Sequence, residues 1–211
     1  MTFCIEDLCR RHPELQATTP AINATVQKIV ACFHSDRKLL ICGNGGSAAD
    51  ADHIAGELLK SFKLPRPLPE ELVQKLKAVD PQLGAELADG LQQGLPVINL
   101  CTHTALHTAF ANDKDYINVY AQLVVALGKP GDILLGISTS GNSPNILRAF
   151  TAARAMGIAT IALTGGRHGR MERVSDIAIC VPETETDRIQ ELHLPVYHAL
   201  CEYIEKSIFS K

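Results

Sequence analysis

The chain has 211 residues, of which 20 are basic and 23 acidic, and its formal net charge at pH 7 is −3. Because 46% of the residues are apolar and 20% are charged, the composition is that of a globular protein and excludes a disordered or fibrous chain. The sequence has no cluster of lysine and arginine, which argues against direct binding of nucleic acid or of an anionic membrane. No apolar run reaches the roughly 18 residues of a membrane span, and residues 1–12 lack the apolar region of a secretory signal.

The seven cysteines are scattered along the chain, and no two of them form a Cys-x-x-Cys pair. Several lie within apolar segments, where cysteine behaves as a small core residue. Disulfides persist mainly in oxidising compartments, so this usage predicts reduced, buried thiols in a cytoplasmic protein.

Short apolar runs alternate with helical patterns along most of the chain. Apolar residues at helical spacing predict helices, and continuous apolar runs predict strands that are buried on both faces. This alternation indicates βαβ units and hence an α/β fold, in which five mostly parallel strands form a sheet flanked by helices. The predicted helices are 20–33, 47–60, 113–127, 144–156 and 187–209, and the predicted strands are 39–42, 97–101, 133–137, 159–163 and 177–181.

Residues 63–95 interrupt the alternation of strands and helices. Three prolines between 65 and 69 favour an extended segment. A helix that begins with proline is expected over 69–76, and a second helix around 86–93. We interpret the stretch as a helical insertion that packs on one domain spanning residues 1–211.

Two turns between a strand and a helix are rich in glycine and serine. In the first, Gly43-Asn44-Gly45-Gly46-Ser47, glycine allows a close approach to an oxyanion, and Ser47 is expected to cap the next helix. The second, Ser138-Thr139-Ser140-Gly141-Asn142-Ser143, offers four hydroxyls. Because both turns follow parallel strands at one edge of the sheet, they favour a phosphate site over two separate helix caps. The turn after the fourth strand, 164–167, is interpreted as a plain glycine turn.

Two helices carry side chains that are able to bind a metal ion. His53 and Glu57 are four residues apart and share a helix face, although an exposed pair is the commoner outcome of this spacing. In the final helix, Gln190 and His198 are about 80° apart around the axis, so their spacing alone does not predict a site. Pro195 lies between them and is expected to kink the helix.

The combination of Gly-Asn-Gly-Gly-Ser at 43–47 with Leu-Gly-Ile-Ser-Thr-Ser-Gly-Asn-Ser at 135–143 resembles the sugar isomerase (SIS) domain family, and within it the phosphoheptose isomerases. The resemblance covers most of residues 20–209 apart from 63–95. It implies a single three-layer SIS domain and a homotetramer with sites at subunit contacts. The implied reaction converts sedoheptulose 7-phosphate to D-glycero-D-manno-heptose 7-phosphate through an enediol, and supplies precursors of lipopolysaccharide.

The resemblance also implies roles for individual residues. It suggests Glu57 as the base and His198 as the acid, although an imidazole bound to a metal cannot easily act as a free acid. His193 and Glu191, in the same helix, are interpreted as structural. One Zn²⁺ per subunit would be held by His53, Glu57, Gln190 and His198. The sugar-phosphate contacts would be Asn44, Gly45, Gly46, Ser47, Glu57, Asn112, Asp113, Ser138, Thr139, Ser140, Ser143 and Gln190.

Two other functions remain open from the sequence. One is a non-catalytic SIS adaptor that binds the replication initiator DnaA, and the other is a sensor of sugar phosphates. Both would keep the two loops, but neither needs a base. Retention of all four metal-ligand positions favours the enzyme, whereas the long insertion leaves the exact sugar open.

Overall fold

The computed structural model describes residues 5–210 of the chain. Within that range the strands form one sheet, every strand pair is parallel, and the order is β2-β1-β3-β4-β5. The predicted α/β fold with a five-stranded, mostly parallel sheet is confirmed. The strands are β1 (Leu39–Gly43), β2 (Val97–Asn99), β3 (Ile133–Ser138), β4 (Ala159–Gly165) and β5 (Ile177–Val181).

Helices precede, connect and follow the strands. Short 3₁₀ turns occur at Pro13–Thr18, Leu100–Thr102 and Tyr116–Asn118. In chain order, the α-helices are α1 (Glu6–Arg11), α2 (Thr19–His34), α3 (Gly46–Leu59), α4 (Glu70–Val79), α5 (Pro81–Gly90), α6 (Thr104–Asp113), α7 (Val119–Leu127), α8 (Pro144–Ala155), α9 (Arg170–Val174) and α10 (Thr186–Phe209).

Each face of the sheet has its own apolar core. Leu39 and Ile41 of β1 pack among apolar side chains of α2, α3 and α10. Leu40 and Cys42 of the same strand pack among those of α7 and α8 on the other face. All five residues of β1 are buried, as expected of a parallel strand that is covered on both sides. Helices therefore lie on both faces of the sheet, which gives the predicted three layers.

The strand order reverses between β1 and β3. The chain passes from β1 to β2 on one side and then returns to β3 on the other, so that Gly43 at the end of β1 pairs with Ile137 of β3. In open α/β sheets, ligands bind outside the carboxyl ends of the strands at such a reversal. Both loops rich in glycine and serine lie at this position.

Two predicted elements differ in extent from the observed ones. The single helix predicted over 113–127 is wrong, because α6 ends at Asp113 and α7 begins only at Val119. Between them, the Asp115 carboxylate accepts a hydrogen bond from the N–H of Ile117 at 3.0 Å and caps a separate 3₁₀ turn. The strand predicted over 97–101 ends at residue 99, where the chain turns into a 3₁₀ helix.

Residues 63–95 contain two helices, as predicted, but with different bounds. The second helix begins at Pro81 rather than near residue 86. Asp80 caps it by accepting hydrogen bonds from the N–H groups of Gln82 and Leu83. The Asp-Pro pair is therefore the local signal that defines its start.

The final helix α10 runs through Pro195 as one helix of 24 residues. Of the described cysteines, all are free, Cys32, Cys42 and Cys201 are buried, and the others are half-buried. Cys4 lies outside the described residues. Within residues 5–210, no helix is both long and apolar enough to cross a membrane.

A buried ion pair joins α10 to the segment that follows α3. Arg66 Nε donates to Glu205 Oε1 at 2.8 Å, and neither side chain is exposed. Arg66 Nη1 also donates to the carbonyl of Leu58, in the last turn of α3, at 2.8 Å. Burial raises the pKa of Glu205, but hydrogen bonds to its carboxylate outweigh this effect and leave the pKa below its usual value. Besides Arg66, the donors are the N–H groups of Phe62, Lys63 and Leu64.

Replacing Glu205 by glutamine is expected to lower the free energy of unfolding by about 3–5 kcal/mol at pH 7, because Arg66 would stay buried without its counter-charge. The lowered pKa in the folded state means that the stability contributed by Glu205 is present above the unfolded pKa. It is lost as the pH falls through the lower folded pKa. Urea unfolding at pH 7 and at decreasing pH should therefore show the difference between wild type and Glu205→Gln shrinking in acid.

The matched control is Glu71→Gln, which removes an exposed carboxylate paired with Lys75 on α4. Exposed ion pairs contribute little to stability, so this variant should unfold close to wild type. Equal losses of stability in the two variants would contradict the role assigned to the buried pair.

Candidate active site

The first loop leads from β1 into α3. Gly45, just before the helix, has a φ of 55°, in the left-handed region that favours glycine. A Cβ on Gly46 would lie 2.2 Å from Nε2 of Gln190, so the Gln190 side chain would have to move if Gly46 were any other residue. Asn44, Gly45 and Gly46 are exposed and accessible to a ligand. The prediction that Ser47 caps α3 is wrong, because the helix begins at Gly46 and Ser47 is buried in its first turn.

The second loop leads from β3 into α8 and carries four hydroxyls. Ser138 Oγ and Ser143 Oγ are hydrogen-bonded to each other at 2.8 Å. The N–H of Asn142 donates to Ser140 Oγ at 3.2 Å. Ser140 is exposed, and Thr139 and Ser143 are half-buried, so three of the hydroxyl side chains reach the surface. Hydroxyls and backbone amides in such a turn suit a phosphate group.

A third loop, residues 165–170, is hydrogen-bonded to the second loop. The N–H of Gly165 donates to the carbonyl of Thr139 at 3.1 Å. The N–H of Arg170 donates to Asn142 Oδ1 at 3.0 Å. What the sequence suggests to be a plain glycine turn is therefore a support for the second loop.

His53, Glu57 and His198 come together where α3 packs against α10. His53 Nε2 lies 3.4 Å from Glu57 Oε1, and the ring centroids of His53 and His198 are 5.0 Å apart. Two ligands of a tetrahedral zinc ion, each about 2.1 Å from the metal, are about 3.4 Å from each other, so the first spacing fits a shared ion. Burial and the neighbouring His53 lower the pKa of His198, although Glu57 acts in the opposite sense. A lowered pKa favours the neutral imidazole, which is the form that binds a metal.

Gln190 lies apart from this cluster within one chain. Its amide is against Gly46 at the start of α3, whereas His198 is eight residues further along α10, a rise of about 12 Å. Within residues 5–210, no three His, Cys, Asp or Glu side chains are already arranged as a metal site. The three clustered side chains therefore fit a zinc ion in type and in their closest spacing, but they would have to contract around it.

Two residues near this cluster were not identified from the sequence. Tyr197 Oη lies 3.0 Å from Nδ1 of His53. Burial raises the pKa of Asp50 to about 6, against the lowering effects of His53 and of a hydrogen bond from Tyr197. When the Tyr197 oxygen accepts from Nδ1–H of His53, Nε2 of His53 is left free for a metal. No spacing rule could reveal the contact between Tyr197 and His53, because these two residues are 144 positions apart.

Asn112 and Asp113 lie exposed at the end of α6. Asn112 Nδ2 donates to Asp113 Oδ1 at 2.9 Å. Among the described residues, neither side chain is hydrogen-bonded to the two loops. Their assignment as substrate contacts stays a prediction.

His193 and Glu191, the two residues of α10 that are predicted to be structural, differ in burial. His193 is fully buried, and burial lowers the pKa of its imidazole to about 4. Glu191 is exposed. An uncharged histidine inside the core is what the predicted structural role of His193 requires.

Comparisons with known proteins identify the family to which the chain is similar. The family model of the SIS domain matches residues 5–95 and 93–165. The chain is 41% identical to the phosphoheptose isomerase of Roseiflexus sp. (strain RS-1), over 97% of this chain and 90% of that protein. It is 39% identical to the phosphoheptose isomerase of Helicobacter pylori (strain P12), over 93% and 89%.

Solved structures show the same relationship. Phosphoheptose isomerase GmhA from Neisseria gonorrhoeae has a TM-score of 0.75 at 32% identity, and the match covers 95% of this chain and 94% of that chain. A phosphoheptose isomerase from Francisella tularensis has a TM-score of 0.76 at the same identity and coverage. The chain therefore belongs to the SIS-domain family and, within it, to the phosphoheptose isomerases.

Proposed function

We propose that the protein is an isomerase that converts sedoheptulose 7-phosphate to D-glycero-D-manno-heptose 7-phosphate. The observation that carries the proposal is that His53 and Glu57 lie on the same helix that leaves the first anion loop, with His198 beside them. Membership of the phosphoheptose isomerases supports a ketose–aldose isomerase of sugar phosphates.

Helix α3 links the loops to the cluster. His53 and Glu57 follow Gly46 by 7 and 11 residues. All three therefore fall within about 40° of one another around the helix axis. His53 lies about 10 Å along the helix from Gly46. A sugar phosphate whose phosphate group is held at the loops could therefore extend its other end along α3 towards the cluster.

The residue types of the cluster suit proton transfer between adjacent carbons. The Glu57 carboxylate would take the proton from the carbon next to the carbonyl, and His198 would exchange a proton with the oxygen as the enediol forms. Lys60 Nζ lies 3.4 Å from Glu57 Oε2 and helps to hold the carboxylate in place. His53, Glu57, Gln190 and His198 would hold one Zn²⁺ per subunit, and that ion would polarise the carbonyl and stabilise negative charge on its oxygen.

The protein is further proposed to be a cytoplasmic homotetramer whose sites are completed at subunit contacts. The separation of Gln190 from His198 and the exposed positions of Asn112 and Asp113 support sites that one chain alone does not assemble. Exposed apolar side chains such as Val79, 88% exposed, support burial in an assembly. The free, buried thiols support a reducing compartment.

A non-catalytic DnaA adaptor and a sugar-phosphate sensor are the alternatives. Neither is favoured, because the relatives that are 39% and 41% identical over most of this chain are named phosphoheptose isomerases. The contact of His53 with Glu57 and His198 likewise has no use in an adaptor.

Glu57→Gln is expected to lower turnover of sedoheptulose 7-phosphate at least 100-fold, because the amide cannot accept the proton. Binding of the sugar phosphate should survive, since the loops are untouched. The measurements are kcat, the Kd for sedoheptulose 7-phosphate by calorimetry, and the zinc content of each preparation.

The control for this variant is Glu86→Gln, which changes an exposed carboxylate of α5. It should retain wild-type turnover. If Glu57→Gln loses binding and turnover to the same degree, Glu57 shapes the pocket and is not the base.

Tyr197→Phe is expected to weaken zinc binding by about 10- to 100-fold, because Nδ1–H of His53 loses the acceptor that orients the ring. Competition with a chromophoric chelator measures the affinity without any turnover. Tyr116→Phe, which removes the hydroxyl of an exposed tyrosine, should bind zinc like wild type. Unchanged zinc affinity of Tyr197→Phe would contradict the orienting role of the hydroxyl.

Light scattering of the full chain is expected to give four times the 22.8 kDa of one subunit. The physical reason is that the separated site residues and the exposed apolar side chains need partner subunits. A stable monomer that retains turnover would contradict the homotetramer.

A further inference from the structure

The two anion loops are joined directly by the side chains of Asn44 and Asn145. Asn44 Nδ2 donates to Asn145 Oδ1 at 3.0 Å, and Asn145 Nδ2 donates to Asn44 Oδ1 at 2.8 Å. The pair crosses the reversal between β1 and β3 and connects segments that are 101 residues apart. Because Asn145 is only 7% exposed, water has little access to replace these hydrogen bonds.

Asn145 is itself held by the helix to which it belongs. It lies in the first turn of α8, directly after Pro144. Its Oδ1 accepts a second hydrogen bond, from the N–H of Ile146 at 3.0 Å, and so satisfies one of the free N–H groups of the helix start. A side chain anchored in this way can transmit the position of α8 to the first loop.

Each loop also has a support of its own. The Tyr120 hydroxyl donates to the carbonyl of Gly43, the first residue of the first loop. The third loop supports the second loop through Arg170 and Asn142. The Asn44–Asn145 pair is the contact that relates these two separately supported loops to each other.

Donors that are already in position before the ligand arrives bind an anion without the cost of ordering the loops. We propose that Asn145 is a positioning residue that holds the first loop against the second through Asn44, so that both loops present their donors to one phosphate group. The identity of that ligand rests on the proposed function, whereas the connection between the loops does not. Asn44, predicted as a substrate contact, uses its carbonyl and one N–H for this pair and keeps one N–H for a ligand.

The test compares Asn145→Ala, Asn44→Ala and the double variant. In the ligand-free protein, Asn145→Ala is expected to raise hydrogen exchange at the amides of Ser47 and Ala48 at least 10-fold, although these residues lie at the start of α3, where the first loop ends. Both amides donate to carbonyls within the first loop at 3.0 Å and report whether it opens. A residue that merely caps α8 would not change exchange in a loop that far away in sequence.

The same variants should bind sedoheptulose 7-phosphate about 10-fold more weakly, the effect of losing hydrogen bonds worth about 1.4 kcal/mol. We expect KM to rise by a similar factor and kcat to change less. The double variant should bind no more weakly than Asn44→Ala alone, because that change already breaks the pair and also removes the remaining ligand N–H of Asn44. Additive losses in binding would overturn the proposal, since they would mean that the two side chains act independently.

Asn118→Ala is the matched control, because it removes a surface hydrogen bond to Arg148 and lies outside the loops. It should leave loop exchange and binding unchanged. Should Asn145→Ala fail to fold, Asn44→Ala tests the same pair from an exposed position, and exchange at the amide of Ile146 is then expected to rise. If Asn145→Ala folds and leaves exchange at Ser47 and Ala48 unchanged, or Asn44→Ala leaves exchange at Ile146 unchanged, the proposal is overturned. If the wild-type protein binds sedoheptulose 7-phosphate but does not turn it over, the proposed isomerase activity is overturned. The exchange test of the connection between the loops stays valid in that case.

Discussion

Helix α3 packs against α10 through contacts near both of its ends, and the arrangement of the site depends on that packing. At its start, Gly46 allows the Gln190 amide to approach the backbone. At its end, the guanidinium of Arg66 bonds the carbonyl of Leu58 while it is paired with Glu205 of α10. Because both charges of the ion pair are buried, removing one partner leaves the other uncompensated. Any change that rotates α3 would separate His53 from the residues of α10.

The sheet supplies a second constraint. The reversal between β1 and β3 brings two loops to one edge, and the Asn44–Asn145 pair connects them there. Helix α3 then leads from this anion site to the cluster of His53 and Glu57. In the proposed function, phosphate recognition and proton transfer would therefore lie near the two ends of one helix, which suits a substrate that carries its phosphate far from the reacting carbons.

Local sequence signals predicted most of the fold, and their failures have local causes. The five strands were found because continuous apolar runs are unambiguous in a sheet covered on both faces. The helix predicted over 113–127 was misplaced because periodicity does not detect the cap formed by Asp115. Helix α6 was missed because none of its residues is fully buried and only a few, such as Leu106 and Phe110, pack partly against the core, so its amphipathic pattern is weak. The shift of α5 to Pro81 shows that a capping Asp before proline is a better marker than apolar spacing.

The sequence by itself determined the α/β class, the two anion loops and the His53–Glu57 pair, because each of these depends on residues that are close together in the chain. Only the tertiary structure decided which distant residues meet. It brought His198 and Tyr197 to His53, Asn145 to Asn44, and the peptide N–H groups after α3 to Glu205. These contacts join residues that lie from 101 positions apart, for Asn44 and Asn145, to 145 positions apart, for His53 and His198. They depend on how the helices pack across the sheet, which no local periodicity or motif specifies.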